Sequence, residues 1–155
     1  RLNTLSSKQL DEIARTWILQ RSLTLAKTIN MTTMDAIRKA LAEGYDQGET
    51  ITQLAKRIEG YFEGNAQARA RMTARTETIA ANNAGAQDRY AKEGIEEKEW
   101  LSDPDARPSH QDANGQIVGI NDNFKVGDGY GPGPGQIGIP EEDINCRCQI
   151  LPVIK

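Results

Sequence analysis

The chain is poor in the residues that build large cores and furnish most catalytic sites. Aromatic residues make up only 5% of its 155 positions, and it has one histidine and two cysteines. Its core must therefore be modest and aliphatic, and its length fits one domain or a pair of small ones. No apolar run approaches the ~20 residues of a membrane-spanning helix, and no signal-peptide pattern is present. The first residue is Arg rather than Met, as expected of a piece of a longer protein. Two cysteines give no disulfide framework, which suits a cytoplasmic origin. Walker A, Gly-x-Gly-x-x-Gly before a helix, His-Glu-x-x-His and Gly-x-Ser-x-Gly are all missing, so the common nucleotide, zinc-protease and serine-hydrolase signatures are excluded. Net charge is −3 but uneven: residues 1–95 carry 14 basic and 11 acidic side chains, residues 96–155 carry 5 and 11. Neither half is basic enough to be a dedicated nucleic-acid binder.

What the chain does have is Asn145-Cys146-Arg147-Cys148, with both of its cysteines, just before the apolar run Gln149–Ile154. Residues i and i+2 of a strand face one side, so both thiols would point at one spot. Neighbours in one extended strand do not readily meet disulfide geometry. With His110 as a third ligand they make a candidate soft-metal site for zinc, with Asp103, Asp105, Asp112 or water as a fourth ligand. The competing reading is two small buried side chains in a core.

Residues 1–94 read as helices. Ser6-x-x-Gln9, Thr32-x-x-Asp35 and Thr50-x-x-Gln53 resemble capping boxes. Leu10, Ile13, Ala14, Trp17, Ile18, Arg21, Leu25 and Ile29 follow helical spacing, a stripe that serves as core or as an assembly surface. Met34, Ile37, Leu41 and Tyr45 follow, closed by Gly44 or Gly48, then Leu54, Ile58 and Tyr61 or Phe62. Gly64-Asn65 is a break. A long small-residue helix runs from about 66 to 93 and stops at Gly94, a C′ glycine; Gly85 within it suggests close backbone approach. After Gly94, 97–101 reads as a strand. Residues 102–110, with two prolines, are expected to be irregular. Asn114-Gly115 signals a type I′ turn. Residues 127–140 hold six glycines and three prolines and are expected to form a long surface loop, mobile or docked on a partner. The last strand is expected over 148–153.

The ordered set Ala74-Arg75-Thr76-Glu77, Asn82, Gly85, Trp100, Asp105-x-Arg107-x-x-His110, Gly115 and Asn145-Cys146-Arg147-Cys148 resembles the phage Mu protein F-like domain, found in head-morphogenesis or minor capsid proteins of tailed phages and prophages. The motif-bearing part covers residues 66–150. The resemblance implies a virion protein of low copy near the portal vertex. It would be assembled in the bacterial host cytoplasm, would contact portal and capsid proteins, and would handle DNA at packaging or ejection. It implies no established enzymatic activity. Related domains also serve as delivery modules of polymorphic toxins.

Beside that resemblance the residues keep their own readings. Arg75 and Glu77, two apart on a helix, serve different surfaces. Arg75 could meet a carboxylate of the Asp103–Asp105 loop and Glu77 could accept from Arg107, either in an active site or in a buried polar clamp. Asp105, Arg107 and His110 form the one acid–base cluster. It could cleave RNA or be a loop held by its own salt bridges. Arg69, Arg71 and Arg75, with Arg89 and Lys92, could contact DNA phosphates non-specifically or form a solvated face.

The expectation is an α+β fold with a helical region (1–64) and a Mu F-like unit (65–155). In that unit a long helix (66–93) packs on a small, loop-rich antiparallel β region (96–155). The protein is expected to be a non-enzymatic minor head protein with no membrane contact. The alternatives are a metal- or His-dependent nuclease or toxin-like enzyme, and a toxin delivery module.

Overall fold

The computed structural model describes residues 7–20, 31–62 and 64–155. The elements are α1 (Ser7–Gln20), α2 (Met31–Asp46), α3 (Ile51–Ile58) with a 3-10 turn (Glu59–Tyr61), α4 (Ala66–Lys92), β1 (Glu97–Leu101), α5 (Pro108–Ala113), β2 (Ile117–Gly119), β3 (Phe124–Val126), β4 (Gly129–Gly131), α6 (Pro140–Asp143) and β5 (Gln149–Val153). The fold is α+β, with a helical half and two small antiparallel sheets.

The helical half follows from its apolar spacing. Ala14, Ile18, Met34, Ile37, Leu41, Leu54, Ile58 and Phe62 share one core with Ala70, Ala74 and Ala81 of α4. Trp17 packs against that core, so Ala14, Trp17 and Ile18 of the α1 stripe face the interior. Tyr61 is exposed and Phe62 takes the inward place. Thr50 forms the expected capping box with Gln53. Thr32 already lies inside α2, so it is not that helix's cap. Ser6, Arg21, Leu25 and Ile29 lie outside the described residues. Gly44 sits within α2, which ends at Asp46, and Gly48 beyond it has φ +69°.

Helix α4 joins the halves. Gly64 and Asn65 before it both have left-handed backbone. At its far end Gly94 has φ +79°, and the amides of Gly94 and Ile95 reach the carbonyls of Ala91 and Tyr90 at 3.2 and 3.0 Å. This is the two-bond stop expected at a C′ glycine. Its alanines let neighbours approach closely: Ala70, Ala74, Ala80 and Ala81 are fully buried.

In the second half β1 is central, in the order β2-β1-β5, with Trp100 opposite Ile150. Trp100, Phe124, Val126, Ile137, Cys146, Cys148 and Ile150 form a second core. Four expectations need correction here. Residues 108–113 are helical, because Pro108 stands at the first helical position, where its missing N–H costs nothing. The Asn114-Gly115 turn is not type I′: Asn114 has φ −57° and ψ 129° and only Gly115 is positive, at +79°, which is type II geometry. The Gly/Pro segment is no free loop. It forms β4, and Gly133, Pro134 and Gly135 are buried. A Cβ on Gly135 (φ +77°) would stand 2.7 Å from Ala80 Cβ, so the segment docks on this chain's own α4. The carboxylate of Asp143, itself 1% exposed, accepts the amides of Ile137 and Gly138 at 2.8 and 2.7 Å. Finally, the last strand begins at Gln149 rather than Cys148.

Candidate metal centre

The site assembles where α5, α6 and the stretch before β5 meet beneath Trp100. That indole is fully buried and meets His110 edge to face at 5.5 Å. Its Nε1 donates to Ser102 Oγ at 3.1 Å, and Ser102 Oγ donates in turn to the His110 carbonyl. Ring and backbone of His110 are thus both fixed. The other wall is set from α4. Thr76 Oγ1 accepts the Asn145 amide at 3.0 Å and so holds Asn145 in a left-handed turn (φ +58°). Asn83 donates to the Cys148 carbonyl at 3.1 Å and accepts the Ile150 amide at 2.9 Å. Arg107 donates to the carbonyls of Glu141 and Ile144, tying α6 and the following turn to α5.

The three sequence-predicted ligands come together. His110 Nδ1 lies 3.3 Å from Cys148 Sγ and 3.6 Å from Cys146 Sγ. Both cysteines are free, all three residues are buried, and their ligand atoms lie within 4.8 Å of one another. The thiol pair is strongly coupled. Cys148 is held well below the usual thiol range, first by the hydrogen bond from Cys146, then by His110 and the Asp103 amide, against burial. Cys146 is pushed up, first by its bond to Cys148 and then by burial. The amide of Asp103 near Cys148 and the amide of Cys148 near Cys146 act to lower the two thiols. Amides aimed at sulfur favour thiolate, the form that binds metal.

On its other side His110 Nε2 is 3.0 Å from Glu142 Oε2. The two are off the line of a hydrogen bond, and Nε2 has no hydrogen-bond partner. A cavity of about 500 Å³ opens beside the sulfurs and is lined by Asp103, Asp105, Arg107, Asn145 and Arg147 among others. Asp103 and Asp105 border this space. Asp112 lines a different cavity and is set aside as a fourth ligand.

Other motif residues are placed differently from expectation. Arg75 faces Arg147 and Arg71 rather than a carboxylate of the Asp103–Asp105 loop; burial and those two positive neighbours push its guanidinium below its ordinary range. Glu77 is buried in α4, while Arg107 turns to backbone carbonyls. Asp105 is exposed, and its amide is bound by Asp103 Oδ1 at 2.9 Å. The Asp105–Arg107–His110 segment is therefore held by backbone acceptors and packing rather than by its own ion pairs. Asn82 is exposed and accepts from Tyr45 Oη at 3.0 Å; the interior position belongs to Asn83. Gly85 is buried. Gly115 donates to the Trp100 carbonyl at 2.8 Å. Arg69 lies over the Phe62 ring at 5.3 Å, Arg71 is exposed, and Arg89 and Lys92 pair along the helix with Glu93 and Asp88 at 2.9 and 2.7 Å.

Glu142, Ser109, Asn83 and Asp143 were not found from sequence, and Thr76 entered only as part of the Ala74–Glu77 motif. A signal for the α6 residues existed: Pro140 followed by three acids is the pattern of a helix N-terminus.

A family model described as "Phage Mu protein F like protein" matches residues 35–151. The chain is 33% identical over 141 residues to "Minor head protein GP7" of Bacillus phage SPP1, covering 85% of this chain and 46% of that protein. It is 24% identical over 151 residues to the uncharacterized protein YqbB of Bacillus subtilis, covering 89% and 48%. It is 32% identical over 117 residues to the NAD(+)–arginine ADP-ribosyltransferase EFV of Enterococcus faecalis, covering 72% of this chain and 24% of that one. The chain thus spans about half the length of the first two relatives. No solved structure matches it.

Proposed function

The chain belongs to the Phage Mu F-like family, and from that premise we propose that it is an assembly domain of a minor head protein. It acts in head morphogenesis, joins portal and capsid proteins near the portal vertex, and is carried in the virion. The observation that carries this reading is the alignment over most of the chain with a relative named as a minor head protein. The geometry supports it. The motif residues Trp100, Arg107, Gly115 and Asn145 each engage this chain's own backbone or core. Residues 65–155 are the unit we assign to this role, with α4 as the spine shared with the helical half. DNA contact rests on exposed Arg71 with Arg75 and Arg147. No helix among the described residues is long and apolar enough to cross a membrane.

In the same reading the His110–Cys146–Cys148 centre takes zinc. Two thiolates and an imidazole suit that ion. It would supply a crosslink rather than chemistry, tying α5 to the stretch before β5 in a half with few aromatics and much loop.

The test is mass spectrometry of purified particles from the phage or prophage that encodes the chain. Peptides of this chain at low copy beside portal and capsid proteins are the expected result. Particles complete in those proteins but lacking this chain would overturn the reading.

A second reading has its own observation. The stretch matches a protein named as a minor head protein and about a quarter of one named as an ADP-ribosyltransferase, two names that describe different roles. A shared delivery role would account for that.

A further inference from the structure

Among the described residues Glu142 is the acid set against the buried histidine, and its position is built. Its Oε2 accepts from Ser109 Oγ at 2.7 Å and stands 3.0 Å from His110 Nε2. Its other oxygen lies over Gly127, where a Cβ would overlap it. Gly127 also has φ +57°, so any side chain there would be strained in its backbone and would press on this carboxylate. Glutamate, serine and glycine come from α6, α5 and the turn after β3, and all three are arranged to hold one carboxylate beside one ring nitrogen. The opposite nitrogen, Nδ1, faces the two sulfurs.

We propose that Glu142 is the orienting carboxylate of a zinc centre formed by Cys146 Sγ, Cys148 Sγ and His110 Nδ1. This rests on the zinc reading given above. A ring that gives its Nδ1 lone pair to a metal carries its proton on Nε2, and that proton needs an acceptor in a buried place. Glu142 is the only carboxylate among the described residues placed within reach of it. Such partners fix the tautomer and ring orientation and raise the ligand's basicity. Nε2 is buried without a hydrogen bond, a state that costs free energy and that a small rotation bringing Nε2–H into line with Glu142 Oε2, 3.0 Å away, would relieve. Glu142 is thus a positioning residue. It acts through His110 and touches no ligand in the cavity. A fourth ligand to such an ion would come from the adjoining cavity, which Asp103 and Asp105 line.

The experiment measures zinc affinity of the chain by competition with a chromophoric chelator, for wild type, Glu142→Gln and Glu142→Ala. It also records the ¹⁵N shifts of the zinc-loaded imidazole, which needs no assignment because the chain has a single histidine. The expected result is one zinc per wild-type chain and a proton on Nε2. Affinity should fall about 10–100-fold in Glu142→Ala and by less in Glu142→Gln, which keeps an acceptor oxygen. Far-ultraviolet circular dichroism of both variants separates lost affinity from lost fold; Glu142→Gln is the arm least able to disturb packing. Zinc bound by both variants as tightly as by wild type, or a proton on Nδ1, would overturn this inference and leave the zinc reading standing. No zinc in wild type would overturn both.

Discussion

The side-chain amide of Asn83 donates to the carbonyl of Cys148 at 3.1 Å. The same side chain accepts the Ile150 amide at 2.9 Å, so one residue of α4 completes two backbone bonds at the start of β5. All of these groups are buried. Asn83→Ala leaves both backbone groups unpaired and should cost about 2–6 kcal/mol, since each orphaned buried group costs roughly 1–3. Asn82→Ala, on the exposed face, should cost less than about 1 kcal/mol. Urea denaturation of the two variants checks the contrast, and equal losses would contradict it.

The Gly/Pro segment should behave as packed structure. Gly135→Ala combines an unfavourable left-handed backbone with overlap against Ala80, and should cost about 2 kcal/mol or more. Gly48→Ala has a similar positive φ of +69° and open space around it, so it bears the backbone cost alone. The difference between the two variants in chemical denaturation isolates the packing of residues 133–135 on α4.

Lys98 is fully buried. It donates to the Pro132 carbonyl at 2.7 Å and stands 5.2 Å from the Phe124 ring. Burial pushes its ammonium down from 10.5 to about 8, with Asp122 opposing. The folded chain therefore releases this proton at lower pH than the unfolded chain does. Between pH 8 and 10.5 the unfolded state binds more protons, so this group makes stability rise with pH through that window. Its cost is fully present below pH 8. The contribution is up to about 3 kcal/mol. Stability measured from pH 7 to 10.5 should climb more steeply in wild type than in Lys98→Met. Parallel profiles would contradict the assignment.

How far the sequence carried the site depended on residue rarity. Two cysteines and one histidine stand out in any chain, and these three do meet. Asn83, Glu142 and Asp143 are of common types, and their roles arise from contacts across 67, 33 and 6 positions, which no local pattern announces. In α4 the interior face was unreadable because alanine lies all round it. Adjacent asparagines therefore could not be told apart, although a helix turns them about 100° from each other. The prolines misled in the other direction. Pro108 and Pro140 start short helices instead of breaking structure, and the glycines at 131, 133 and 135 permit close packing instead of mobility. The helical half was legible because its leucines, isoleucines and single-turn signals keep a regular spacing.

An enzymatic reading of His110 makes a separate prediction. The imidazole is 1% exposed; its Nδ1 lies 3.3 and 3.6 Å from the two sulfurs and its Nε2 3.0 Å from Glu142, so both ring nitrogens face this chain's own groups. Incubation of the purified chain with RNA and with DNA should give no cleavage. Cleavage abolished by His110→Ala would reopen the nuclease alternative.

The most direct test of the account is the metal content of the purified chain, by elemental mass spectrometry, for wild type and Cys148→Ser with thermal unfolding of each. The account predicts one zinc per wild-type chain. It predicts loss of that zinc in Cys148→Ser, with a midpoint lowered by at least about 5 °C, the shift that about 1–2 kcal/mol gives at this size. A wild-type chain without metal, unfolding at the same temperature with and without added zinc, would contradict it.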